Sequence, residues 1–360
     1  MVISGLSCQK EQDGETYILL PLQEGVNVMQ MGAKGDGLTD DSNAFEKAMR
    51  LADSLKKPVV IPAGKYKATI QIAFDGLALI GQGQPSESFK FGTIIIGSIN
   101  CNNKKNITLQ HMGIDARNSQ SPAALTSGDG SDSADLYQNF SNISLLGGGY
   151  QVFNHGILCQ TGRHITLRKI LVKNFYHGIA LRSSEVRADS IEAISCGFTS
   201  IIIKAAEGKN SRTRNIVISN VKISGNPDNP FERGGMILAQ SVENESIIEN
   251  VELNRISSRF SGVSTITIDQ IKGEVKKVKI LDCNATYQGH DAGTACYDIK
   301  GGTDILFSNC SSIQARGTGF RCTGSAQKVR AEQCYESGSG IRAWWGNFSY
   351  LQLNGVEIIK

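Results

Sequence analysis

The chain of 360 residues carries 37 Lys and Arg against 34 Asp and Glu, a formal net charge of +3, and it holds 39 glycines. That balance, with no basic run interleaved with aromatics, argues against nucleic acid as a partner, and no apolar run nears the roughly 18 residues of a transmembrane helix. The length would ordinarily suit two domains, but a solenoid grows by adding repeats and needs no second core.

At the N-terminus, Val2-Ile3-Ser4-Gly5-Leu6-Ser7-Cys8 sets small residues before a cysteine, and polar residues from Gln9 to Glu15 follow. The stretch resembles the end of a bacterial lipoprotein signal without its basic leader. The resemblance implies a lipid anchor at Cys8 as the one membrane contact, an extracytoplasmic location at the cell surface or in the periplasm, and residues 1–25 as a signal remnant and tether.

From Met31 to Asp41 the chain reads Met-Gly-Ala-Lys-Gly-Asp-Gly-Leu-Thr-Asp-Asp. Its glycines permit a tight reversal, and Thr39, Asp40 and Asp41 offer capping oxygens to a following helix. That helix is expected at about 42–55, with Ala44, Phe45, Ala48, Leu51, Ala52 and Leu55 on one apolar face. Val59 to Ile61, Ile70 to Ile72 and Leu77 to Gly83 then read as short strands between Gly and Pro turns.

The order Gly-Ala-x-Gly-Asp-Gly-x-Thr-Asp-Asp, helix, Pro62-Ala63-Gly64-x-Tyr66 and Gly81-x-Gly83 resembles the start of pectate-lyase-superfamily proteins. Those include rhamnogalacturonase and epimerase-like enzymes and phage tailspikes. The resemblance implies an all-β fold, a single-stranded right-handed parallel β-helix over residues 26–360 with an N-terminal capping α-helix, and a polysaccharide as partner. It makes the acidic cap structural rather than catalytic.

The remaining chain supports that reading on its own terms. Asn106-Ile107-Thr108-Leu109, Asn142-Ile143-Ser144-Leu145, His164-Ile165-Thr166-Leu167, Asn215-Ile216-Val217-Ile218 and Asp304-Ile305-Leu306-Phe307 repeat one short strand. A second apolar position follows at Ile170, Ile191, Val221, Val251, Cys283, Cys310, Cys334 and Val356, at spacings between 21 and 32 residues. A fixed strand core with irregular spacing predicts coils carrying loop insertions. The nine cysteines show no metal-ligand spacing, and those on the second ladder read as small core side chains. The loop Asp129 to Asp135 looks like a calcium loop but lacks its closing Glu and reads as a solvated insertion.

A third ladder runs through Gly156-Ile157-Leu158-Cys159, Gly178-Ile179-Ala180-Leu181-Arg182, Ser200-Ile201-Ile202-Ile203-Lys204, Gly235-Met236-Ile237-Leu238, Thr265-Ile266-Thr267-Ile268-Asp269, Ala295 to Lys300, Gly319-Phe320-Arg321-Cys322 and Gly340 to Trp344. Alternation turns every second residue outward, so Arg182, Lys204, Asp269, Asp298, Lys300, Arg321, Arg342 and Trp344 are expected on one exposed face. His155 and His177, each just before a Gly, are expected to face a groove or to stack in a turn.

Chemistry is expected from that face. Asp269 and Asp298 would be the carboxylate pair of a glycoside hydrolase, one as acid and one as base or nucleophile. Arg182, Lys204, Lys300, Arg321 and Arg342 would bind uronate carboxylates, and Trp344 would stack on a sugar. Among relatives of this fold, polygalacturonases carry Asn-Thr-Asp, Asp-Asp, Gly-His-Gly and Arg-Ile-Lys. Here Gly289-His290-Asp291 and Asp298-Ile299-Lys300 only echo them, so ordinary polygalacturonase activity is not expected. The expected function is cleavage of an acidic polysaccharide, with hydrolysis slightly ahead of β-elimination. No cofactor is expected for a hydrolase; calcium is the possible one for a lyase. A non-catalytic glycan-binding or tailspike-like attachment protein is the third reading. About 25 residues before the cap and the ending at Lys360 leave little room for head-binding or trimerisation modules, which favours a cellular enzyme, as a monomer or a homotrimer.

Overall fold

The computed structural model describes residues 8–12, 15–128, 131, 133–149, 154–205, 211–225, 237–241, 245–259, 262, 264–286 and 294–359. Apart from the antiparallel pair Cys8–Gln12 and Glu15–Leu19, the strands form one continuous, almost wholly parallel ladder. Each strand pairs with its counterpart one coil earlier and one coil later, as in Ile143↔Ile170↔Ile191↔Val221. The protein is a right-handed parallel β-helix. No described helix is long and apolar enough to cross a membrane.

One helix, α1 (Ser42–Leu55), covers the first coil. Ala44, Phe45, Ala48, Met49 and Ala52 are buried, and Phe45 meets Tyr66 edge to face at 5.8 Å. Met49 takes the place expected of Leu51 and Leu55, which are exposed at the rim. The acidic turn before α1 mostly ties itself, and of its carboxylates only that of Asp40 reaches the helix, accepting from the Ser42 backbone N–H at 3.0 Å. Asp41 is buried and accepts from the backbone N–H groups of Lys34 (2.7 Å) and Gly35 (3.2 Å), while Asp36 accepts from Leu38 and Thr39 at 2.8 Å. Those bonds hold the exposed Asp36 carboxyl down at about 2.

Behind the cap the apolar alternation becomes stacked rungs. Ile165, Val186, Ile216, Val251, Val278, Ile305 and Val329 form one column, and Ile143, Ile170, Ile191, Val221, Ile256, Cys283, Cys310 and Cys334 form another. The sequence ladder is corrected at three places. Val251 stands on the first column, and Ile256 fills the rung assigned to it. Val356 lies in a terminal antiparallel strand and is exposed. Asn142 marks a different corner from Asn106, His164, Asn215 and Asp304.

Both corners use the left-handed backbone. At one, Asn142, Lys169, Ser190, Asn220, Arg255, Asp282, Asn309 and Gln333 all have φ between 52° and 58°. At the other, His164, Glu185, Asn215, Asn250, Lys277, Asp304 and Lys328 lie between 51° and 65°. Among residues with a side chain Asn tolerates this region well, which is why it recurs there; at Asn215 and Asn250 the amides also link coil to coil, at 2.6 Å to Glu185 and 3.0 Å to each other. Cys101, Cys159, Cys196, Cys283, Cys296, Cys310, Cys322 and Cys334 are buried free thiols, and burial pushes Cys159 and Cys296 up to about 12.

Candidate functional site on the outer face of one sheet

Nine stacked strands form the face of interest: β1 (Ala123–Ser127), β2 (His155–Cys159), β3 (His177–Leu181), β4 (Thr199–Lys204), β5 (Ile237–Ser241), β6 (Ile266–Gln270), β7 (Ala295–Ile299), β8 (Thr318–Cys322) and β9 (Arg342–Gly346). Ile157, Ile179, Ile201, Ile266, Tyr297 and Phe320 point into the core, with Tyr297 stacked on Phe320 at 4.9 Å. Period-two alternation then turns the next residue of each strand outward.

The single exposed face expected from sequence divides into separate columns. The middle one reads Leu158, Ala180, Ile202, Thr267, Asp298, Arg321 and Trp345, with the backbone of Leu238 between Ile202 and Thr267. Two residues further along each strand lie Arg182, Lys204, Asp269 and Lys300. At the strand starts lie Ala123, His155, His177 and Thr199 and, further on, Ala295, Thr318 and Arg342.

Asp298 is bound more tightly than a solvent-facing carboxylate. It is 2% exposed, receives Arg321 Nε at 2.8 Å and Nη2 at 2.5 Å, and has Lys300 Nζ at 3.7 Å. The two-pronged bond also raises the pKa of Arg321. Asp269 is half-buried on the preceding coil, two residues beyond Thr267, the register partner of Asp298. At about 4.8 Å between strands and 3.3 Å per residue, the two aspartates are about 8 Å apart at Cα. The pair therefore has the offset placement expected, with one member enclosed by cations.

Trp344 is the clear correction among the site residues. Counting from Gly340 puts it outward, but Thr318 pairs with Arg342 and Phe320 with Trp344, so Trp344 continues the inward stack and packs against Phe348. Its neighbour Trp345 is the outward indole, 50% exposed and in register with Arg321. Arg342 is exposed, as expected, with its guanidinium 5.4 Å from the Trp345 ring centre. The partner strand carried the true frame, since Phe320 and Trp344 are both large and aromatic.

His155 and His177 stack at 5.0 Å on the outer side of β2 and β3, and His177 Nδ1 lies 2.6 Å from Thr199 Oγ1. Tyr176 meets His177 edge to face and stacks on Phe198 at 5.4 Å. Burial, then His155, Arg182 and Lys204 push His177 down to about 3, and burial lowers His155 too. Burial and the neighbouring positive charge thus disfavour the protonated form of both rings. Among the described residues no three His, Cys, Asp or Glu side chains converge as a metal site. Of the Asp129–Asp135 loop, Asp129, Gly130 and Asp132 lie outside the described residues, and Asp135 pairs with Arg163 at 2.7 Å. Gly289-His290-Asp291 and Gly235-Met236 also lie outside them.

Comparisons agree with this architecture. Residues 25–100 match the family described as Rhamnogalacturonase A/epimerase, pectate lyase-like. The A-module of the mannuronan C-5 epimerase AlgE4 of Azotobacter vinelandii superposes with a TM-score of 0.60 at 13% identity, over 89% of this chain and 98% of that one. The A-module of AlgE6 from the same organism gives 0.57 at 13% identity, over 91% and 98%. The family 28 exopolygalacturonase of Yersinia enterocolitica gives 0.55 at 12% identity, over 92% and 78%. No curated protein matches in sequence. At these identities the likeness concerns the fold.

Proposed function

We propose that the protein is a carbohydrate-active enzyme that binds a uronate-containing polysaccharide across the outer face of β2–β9 and cleaves it there. The observation that carries the reading is the recurrence of cations along the outer side of one sheet, Arg182 and Lys204 on neighbouring coils and Lys300, Arg321 and Arg342 on three further neighbouring coils, although Arg321 is held by Asp298. From β4 to β9 the face spans five coil steps, about 24 Å, which is room for several sugars. The names of the similar folds, a mannuronan epimerase and an exopolygalacturonase, fit an acidic glycan.

The state of Asp298 favours elimination over hydrolysis, reversing the slight preference drawn from sequence. A hydrolase needs two carboxyl groups that reach the scissile bond, one to protonate the leaving oxygen and one to activate water or attack carbon. Asp298 is buried and held by Arg321 and Lys300, which suits orienting those cations. Elimination instead needs the uronate carboxylate neutralised, so that the proton on the adjacent carbon can be removed and the resulting charge stabilised. Arg182 and Lys204 supply positive charge beside the His155–His177 pair. The calcium associated with a lyase fits this face poorly, because Asp298 is already engaged by two cations.

The hydrolytic reading rests on Asp269 and Asp298 standing on consecutive coils of the same sheet, two residues out of register, as two carboxylates of one site would need to be near each other. Incubation with uronate-rich polysaccharides, following both reducing ends and ultraviolet absorbance, separates the readings. Absorbance growth is the expected result. Reducing ends without absorbance, abolished by Asp269→Asn and by Asp298→Asn with binding retained, would establish hydrolysis, and tight binding with neither signal would make the protein an attachment module.

A further inference from the structure

The middle column ends on a side chain with no counterpart elsewhere in it. Asp298 and Arg321 neutralise one another, and the next position is Trp345, a large aromatic left half in solvent on the same outward face. Its orientation is fixed from several directions. Trp344 is packed into the core against Phe348, which locks the strand on one side. Gly346 follows at φ 116°, and a Cβ there would overlap the Cys322 carbonyl oxygen, so the backbone lies hard against β8. Arg342 lies over the ring at 5.4 Å, and among the described residues no carboxylate pairs with it.

The exposed part of the Trp345 indole and the Arg342 guanidinium that lies over the ring match a uronic acid in two respects. The C–H groups on one side of a pyranose form an apolar surface that suits an aromatic ring, while the carboxylate suits the planar Arg fork. We propose that Trp345 and Arg342 form a subsite for one uronate residue at the β9 end of the binding face. This rests on the uronate reading above and adds a position to it. Arg321 next door has its fork occupied by Asp298, so the carboxylate at this end is assigned to Arg342. The guanidinium already lying over the ring keeps both groups close before the sugar arrives, which lowers the ordering cost of binding.

The chain has two tryptophans, one inward and one outward, and this makes the test selective. Hexamers of galacturonate, mannuronate and guluronate are titrated into the full chain by calorimetry and by indole fluorescence, with sedimentation measured alongside. At least one hexamer is expected to bind with a fluorescence change. Trp345→Ala is expected to weaken it about tenfold, and Trp345→Phe to remove the fluorescence change while retaining most of the affinity. Trp344→Phe should leave that change intact, and Arg342→Lys should weaken hexamer binding because the planar fork is lost. If a hexamer binds equally well to wild type and Trp345→Ala, the subsite is overturned while the uronate reading stands. If no hexamer binds wild type, the uronate reading falls and takes the subsite with it. A wild type that self-associates through Trp345, losing association but no affinity in Trp345→Ala, would make the indole a contact between copies and overturn the subsite.

Discussion

Along the middle outward column, the halves on either side of Leu238 obey different rules. Leu158, Ala180 and Ile202 are outward by register yet at most 8% exposed, forming a small apolar cluster with Ala123 outside the main core. Thr267, Asp298, Arg321 and Trp345 continue the column as a polar and aromatic series that opens to solvent at Trp345. Facing outward on a solenoid is therefore not the same as facing water. In the first half the cations stand one column over, at Arg182 and Lys204; in the second half they are in or beside the column itself.

The largest test of this contrast is Asp298→Ala. It leaves the Arg321 guanidinium without its enclosed partner and is expected to lower stability by about 3–5 kcal/mol, measured as a shift in the denaturation midpoint. Asp298→Leu with Arg321→Met should recover most of that loss, because an apolar pair extends the rule of the first half into the second. A double variant no better than Asp298→Ala would show that the charges are needed for the strand pairing itself.

Ile202→Ser tests the first half. Loss of apolar contact plus an enclosed hydroxyl predicts about 2–4 kcal/mol of destabilisation, whereas a truly solvent-facing position would lose less than about 0.5 kcal/mol.

The histidines give the first half a pH dependence. His177 titrates at about 3 in the folded protein against an ordinary value of 6.5, so below 6.5 the unfolded chain binds the proton that the folded chain refuses. The stability it contributes is full above 6.5 and is lost as pH falls toward 3. The slope contributed by this one group is at most about 1.4 kcal/mol per pH unit. His177→Gln should flatten the fall in stability over that window, and an unchanged slope would assign it to other groups.

Lys204→Ala should have the smallest effect on folding, within about 0.5 kcal/mol. It is expected to weaken oligouronate binding between about threefold and tenfold, read by calorimetry. Equal affinity would restrict the glycan contact to the β6–β9 half.

The fold was legible because its signals repeat. A Gly-Asp-Gly turn, a helix with one apolar face and coil after coil of Ile and Val each offer independent votes for one architecture, and an error at Asn142 or Val251 is outvoted. The site has no such redundancy. Register decides which of two adjacent tryptophans faces solvent, and the glycine at 340 was a weaker guide to it than the aromatic partner at 320. Nor does alternation say whether an outward residue is covered: Leu158, Ile202 and Asp298 all alternate outward, yet each is buried. Their place before a glycine marks His155 and His177 in the sequence, but their lowered pKa depends on burial and on cations from other coils.

The left-handed corners carry a consequence for how this molecule can vary. Each coil turns at equivalent positions into equivalent rungs, so a coil is a removable unit, and the length of the outer face changes only in whole steps of about 4.8 Å. The interval between Lys204 and Trp345 is thus an integer property of the chain. Relatives that gain or lose a coil between them would have their ligand contacts re-spaced by a full step, with no intermediate setting.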